Sequence, residues 1–161
     1  MNYSSIIWKN HFFSFYCAVS QFINNITLAF MERVSFSLEF VLKTSPAIVY
    51  QFLTTPDCLI RWFCDEVDVE REGDYDIYTF TWTGADEVAH LVDDIQEEKL
   101  VFKWLDADDD EEYLEFSMSR SEVTNDTVLV ITDYCDDDEV DDQKQLWNNQ
   151  IAAMKKAMGV V

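Results

Sequence analysis

The sequence predicts an α+β domain: a curved antiparallel sheet of about six to seven strands wrapped around a long C-terminal helix, with two short helices after the first strand. Two patterns carry this reading. Apolar and polar side chains alternate through a series of short segments separated by turns, the mark of half-buried antiparallel strands. The last segment changes period and spaces its apolar residues as one face of a helix requires.

Val34, Phe36, Leu38, Phe40 and Leu42 alternate with Ser35, Ser37 and Glu39, which makes the first strand. Thr44-Ser45-Pro46 then offers a hydroxyl cap and a proline in the first turn of a helix. Ile48, Val49, Phe52 and Leu53 share one face of that helix. Thr55-Pro56-Asp57 ends it and opens a second, short helix that closes near Trp62-Phe63. Strands follow, divided by turns at Glu72-Gly73-Asp74, Thr83-Gly84-Ala85-Asp86, Gln96-Glu97-Glu98 and residues 121–126. Over residues 139–158, Val140, Trp147, Ile151, Met154 and Met158 stand on one helical face. Asp136, Asp137, Asp138 and Glu139 crowd its start and Lys155 and Lys156 its end, as the helix dipole favours.

The 161 residues suit one domain. A hydrophobic content of 48% and an aromatic content of 15% exclude a disordered chain. With 32 Asp and Glu against 11 Lys and Arg the net charge is −21, which argues against nucleic acid and anionic membrane surfaces as partners. The charge is unevenly placed. Residues 1–30 hold Lys9 and no acid, so all 32 acids lie in residues 31–161. That break divides the chain into an N-terminal extension, 1–30, and a domain, 31–161. Three readings of the extension compete: a true start at Met31, a signal-like or anchoring segment, or an element of the domain. Polar residues interrupt it too often for a stable membrane span.

Cys17, Cys58, Cys64 and Cys135 show no two-residue spacing and no disulfide framework, so reduced, buried thiols and a cytoplasmic location are expected. Asp106, Asp108, Asp110, Glu111 and Glu112 look like calcium ligands. Counted from Asp106, however, the sixth and twelfth places hold Glu111 and Ser117 rather than Gly and Glu, and a solvated loop is the better reading. No metal site and no cofactor are expected. No nucleophile elbow or triad spacing appears, and no catalytic residue is assigned.

Thr55-Pro56 followed by Leu59 and Trp62-Phe63 resembles the T-P-x-x-L-x-x-W-F element of START-like domains, members of the SRPBCC or Bet v-type helix-grip superfamily. Phe80-Thr81-Trp82, Leu100 to Trp104 and the closing Leu146-Trp147 helix extend the resemblance over about residues 32–159. It is nearest the branch of activators of a heat-shock chaperone ATPase, and within it uncharacterised bacterial proteins. The resemblance implies a helix-grip fold with a cavity between sheet and long helix. It does not imply a reaction.

Phe52, Leu59, Trp62, Phe63, Phe80, Trp82, Phe102 and Trp104 are candidates to line that cavity, closed from above by Trp147, Ile151 and Met154. The competing reading is that these rings simply fill the core. His90 is the polar candidate, either as a ligand contact or as a structural histidine. Three functions follow. The first is a non-enzymatic module for a hydrophobic small molecule or lipid. The second is a protein-interaction module that steers basic partners to its negative charge. The third, a minor branch, is a cyclase- or dehydratase-like enzyme built on His90 and a carboxylate.

Overall fold

The computed structural model describes residues 33–107 and 111–160. The N-terminal extension and the centre of the first acidic run lie outside the described residues. Strand β1 spans Arg33–Leu42, followed by helices α1, Pro46–Thr54, and α2, Pro56–Leu59. Strands β2 to β7 then run over Glu66–Glu72, Tyr75–Trp82, Ala85–Ile95, Lys99–Trp104, Leu114–Arg120 and Thr127–Asp136. A 3-10 turn at Asp137–Glu139 leads into helix α3, Val140–Met158.

The seven strands form one antiparallel sheet in the order β1-β7-β6-β5-β4-β3-β2, curved and unclosed. Sequential strands pair through short turns, and β1 returns to lie beside β7. This is the predicted helix-grip architecture, with the strand count at seven. The turns use the residues that tolerate a left-handed backbone: Gly73 has φ 61° and Gly84 φ 82°. At Ser45 the expectation is half met. Pro46 opens α1 as predicted, but Ser45 makes no side-chain capping bond.

One face of the sheet is the core. On β7 the alternation is strict, with Thr127, Leu129, Ile131, Asp133 and Cys135 buried. Helix α3 lays Leu146, Trp147, Ile151 and Met154 on that face. Its ends follow the charge pattern: Asp141 and Asp142 in the first turn, Lys155 and Lys156 in the last, and Gly159 at φ 75° closing the helix.

A register shift between Leu91 and Asp93 breaks the alternation of β4. The extra residue turns Asp94 to the face of its partner Leu100, which is fully buried. There the single Tyr50 O–H donates to the Asp94 carboxylate, its oxygen 2.9 Å from both carboxylate oxygens, and so ties α1 to the sheet.

The docking of α3 rests on a buried carboxylate. Asp133 Oδ2 accepts a bond from Trp147 Nε1 at 2.8 Å and another from Gln143 Nε2 at 3.0 Å. Its Oδ1 accepts from the Tyr134 amide at 2.9 Å. Asp133 is 7% exposed and Trp147 fully buried, so neither has water to fall back on. Replacing Asp133 by Ala orphans the indole N–H and the Gln143 amide. The expected cost is about 3 kcal/mol in denaturant unfolding, against about 1 kcal/mol for Asp133→Asn, which keeps an acceptor. Equal unfolding midpoints for wild type and Asp133→Ala would remove this account of docking.

Candidate functional site

The space beneath α3 is filled mainly by rings. Phe63 lies at its centre, with the Phe80 centroid at 5.1 Å, Trp62 at 5.2 Å, Trp82 at 5.4 Å and Trp147 at 6.3 Å. Phe80 meets Phe102 at 6.3 Å and Trp104 at 5.8 Å. The polar handles of these rings are fixed as well. Trp62 Nε1 donates to the Phe52 carbonyl at 2.9 Å, and Trp82 Nε1 to the Phe63 carbonyl at 2.7 Å. The first bond braces the helical segment internally, the second ties the sheet to it, and each leaves its indole nitrogen little freedom to turn.

Leu59, Trp62, Phe63, Phe80, Phe102 and Trp104 do come together, joined by Leu53, Leu114 and Phe116. The crevice they line measures about 10 Å³. One water needs roughly 10–15 Å³, so this space takes at most one. Of the two readings of these rings, core filling describes this crevice: the side chains that were to line a cavity occupy most of it. Ile151 and Met154 are buried in the same core and Phe52 borders it at 8% exposure.

A larger space opens beside this core. Residues 60–65, the end of β3 and the second half of α3 enclose a groove of about 660 Å³. Its floor includes Trp62, Phe63 and Trp82, three of the predicted residues. Ile60 and Arg61 stand on one wall, and Asn149, Gln150, Ala153, Lys156 and Ala157 on the other. Arg61 spans the two walls: its Nη2 donates to the Ala157 carbonyl, and its guanidinium lies 5.2 Å from the Phe52 ring centroid. Asp65 and Thr83 close the near end, with the Thr83 hydroxyl donating to Asp65 Oδ2 at 3.0 Å. The Thr55-Pro56 break is what brings this wall into place, because it turns the chain from α1 into α2, which ends at Leu59, short of the predicted end, and hands on to the turn that carries Trp62-Phe63.

A family model for the START-like superfamily domain matches residues 30–160. The chain belongs to the START-like superfamily. Among solved structures, the protein BfR322 from Bacteroides fragilis, determined in solution by NMR, is 34% identical. That match covers 81% of this chain and 95% of the other, with a TM-score of 0.56. The Aha1 dimer from Colwellia psychrerythraea is 18% identical over 76% of this chain and 94% of that one, with a TM-score of 0.59. An AHSA1-like protein from Rhizobium etli is 19% identical over 76% and 80%, also with a TM-score of 0.59. These last two share the fold. No curated protein matches the sequence.

His90 does not join the START-like interior. Its strand neighbours Ala89 and Leu91 are buried, and it pairs instead with Ile77 and Lys103 on the opposite face, its ring 6.4 Å from Tyr75 and nearly parallel to it. The alternation of β4 decides this: two faces exist, and Ala89 and Leu91 occupy the inner one. Cys58, Cys64 and Cys135 are free thiols. Burial pushes the Cys64 thiol up to about 12, which makes it a poor nucleophile although it lines the groove. Among the described residues no group of three His, Cys, Asp or Glu is arranged for a metal ion.

Sequence reasoning missed the polar residues of this region. Gln143 and Gln150 stand at the same helical face as Trp147 and Met154, spaced by four, three and four, so position alone was the available signal. Glu87 was missed too. It pairs with Phe80 across β3 and β4 and thus shares the aromatic face. Its Oε2 is buried with no partner. Burial, with Asp106 adding repulsion, pushes its carboxyl up to about 7.

That shift has a definite sign. A carboxyl raised from 4.5 to about 7 in the fold costs stability as pH rises between those values. Glu87→Gln should therefore stabilise the domain at pH 8 by about 1–2 kcal/mol, discounted for the solvent that still reaches the group. The gain should vanish below about pH 4.5. Chemical unfolding of both proteins across this range checks it, and a gain that does not change with pH would refute the assignment.

Proposed function

We propose that this START-like domain is a non-enzymatic binding module for an apolar small molecule or lipid chain, taken into the groove between residues 60–65, the end of β3 and the second half of α3. The observation that carries this reading is the groove itself: about 660 Å³ over a floor of Trp62, Phe63 and Trp82. That volume falls within the ~300–1,000 Å³ of small-molecule sites, and its lining joins the edges of three aromatic residues to polar side chains such as Arg61, Asn149 and Lys156, which suits an amphiphilic ligand. Cys64 sits in the same wall, deactivated by burial, and His90 stands on the far face of the sheet, so binding is better supported than chemistry. The free thiols Cys58, Cys64 and Cys135 favour a reducing, cytoplasmic setting. No helix of the described residues is long and apolar enough to cross a membrane.

A protein-interaction role is the second reading. The net charge of −21 favours it, since such a field steers basic surfaces, and the likeness in fold to the Aha1 dimer agrees with it. The two readings separate in one experiment. Protein purified under native conditions is examined by native mass spectrometry and solvent extraction for a co-purifying apolar molecule. In parallel, Ala153→Trp fills the groove from the exposed side of α3. Ligand occupancy should fall at least about tenfold in this variant while its thermal midpoint stays within a few degrees of wild type. Undiminished occupancy in Ala153→Trp would rule out the groove as the binding place.

A further inference from the structure

The rim of the groove carries a chemistry that its floor does not. We infer, resting on the groove reading above, that the ligand is a single-chain amphiphile with a carboxylate head, the head held by Arg61, Lys156 and the Gln150 amide and the chain laid on Trp62, Phe63 and Trp82.

The charge arithmetic points there first. The chain has 11 bases among 32 acids, yet Arg61 and Lys156 face each other across this one groove. The acid at the site is Asp65, and the Thr83 hydroxyl already donates to it at 3.0 Å. Arg61 is held by its stack on Phe52 and by one bond to the Ala157 carbonyl. A guanidinium has five N–H donors in a fixed fork, so a preorganised part of the fork remains for a carboxylate.

Gln150 is the second observation. It is 4% exposed and lines the groove. Its counterpart two turns earlier, Gln143, donates to Asp133 at 3.0 Å. The place of Gln150 on the groove wall sets an amide donor and acceptor beside the space that a polar ligand atom would take.

Three effects oppose an anion: the Asp65 carboxylate on the groove wall, the acids on distant surfaces and the end of α3. The acids on distant surfaces are screened beyond about 8 Å at physiological salt. The end of α3 carries roughly half a negative charge. Arg61 and Lys156 bring two positive charges to the groove against one negative charge on Asp65, and the last-turn carbonyls are already covered: Ala157 by Arg61, and Lys155 and Lys156 by the amides of Val160 and Gly159. The local balance is positive although the whole is strongly negative.

The test titrates the 161-residue protein with decanoate, decanol and decyltrimethylammonium, read by tryptophan fluorescence and calorimetry at low and physiological salt. Decanoate should bind best, about tenfold tighter than decanol. Arg61→Gln should weaken decanoate about tenfold and Lys156→Gln about threefold, with decanol unchanged. Arg61→Lys, which keeps the charge, should recover much of the loss. Near-UV circular dichroism identical to wild type establishes that these exposed substitutions leave the fold intact. Decanol or the cationic chain binding as well as decanoate, or Arg61→Gln without effect on it, overturns the carboxylate head and leaves the groove reading standing. If none of the three chains binds, both fall together.

Discussion

A single carboxylate inside the sheet determines where the long helix lies. Asp133 occupies an inward position on β7 where the pattern of the strand calls for an apolar residue, and it receives Trp147 and Gln143 from α3. Hydrophobic contact alone is non-directional and would let α3 slide or rotate over the sheet. Two donors meeting one acceptor set its azimuth and its height together. With α3 so placed, Trp147 stacks on Phe63, Phe63 packs edge-on against Phe80 and Trp82, and the groove beside them acquires its second wall.

The same bonds explain why the interior is closed and the groove open. Trp62 donates its N–H to the Phe52 carbonyl within the α1–α2 segment, and Trp82 of β3 donates to the Phe63 carbonyl, which ties that segment to the sheet. Large rings held at several points pack to the density of a crystal and leave little void. Past Phe63 the chain turns away toward β2, while α3 continues to Met158. The two diverge, and small or flexible side chains such as Ala153 and Lys156 cover the gap only in part.

Much of the architecture was legible from periodicity. The alternation of Phe36, Leu38 and Phe40, the proline pairs at Pro46 and Pro56, and the spacing from Trp147 to Met154 are local signals, and local rules decoded them. The shift at Val92 was not legible, because a bulge answers to pairing across strands and leaves no mark within one. Asp133, Gln143 and Gln150 read as ordinary polar residues until their partners come from elsewhere in the chain. His90 shows the converse. Its neighbours Val88 and Val92 suggested an apolar face, and that face proved to be the outer one, partly covered by its own side chains. Whether aromatic residues enclose space or fill it depends on ring angles, and those are set in three dimensions.

Strand β2 ends the sheet on one side, and its sequence Glu66-Val67-Asp68-Val69-Glu70-Arg71-Glu72 bears on how the molecule meets its own copies. A free strand edge is a template on which another chain can add by backbone pairing. Here Glu66, Asp68, Glu70 and Glu72 all stand exposed along that edge, so two such borders brought together would oppose like charge at every second residue. Part of the acidity of this protein thus bears on neither ligand nor partner: like charge along a bare strand border disfavours the fusion of neighbouring molecules into a longer sheet.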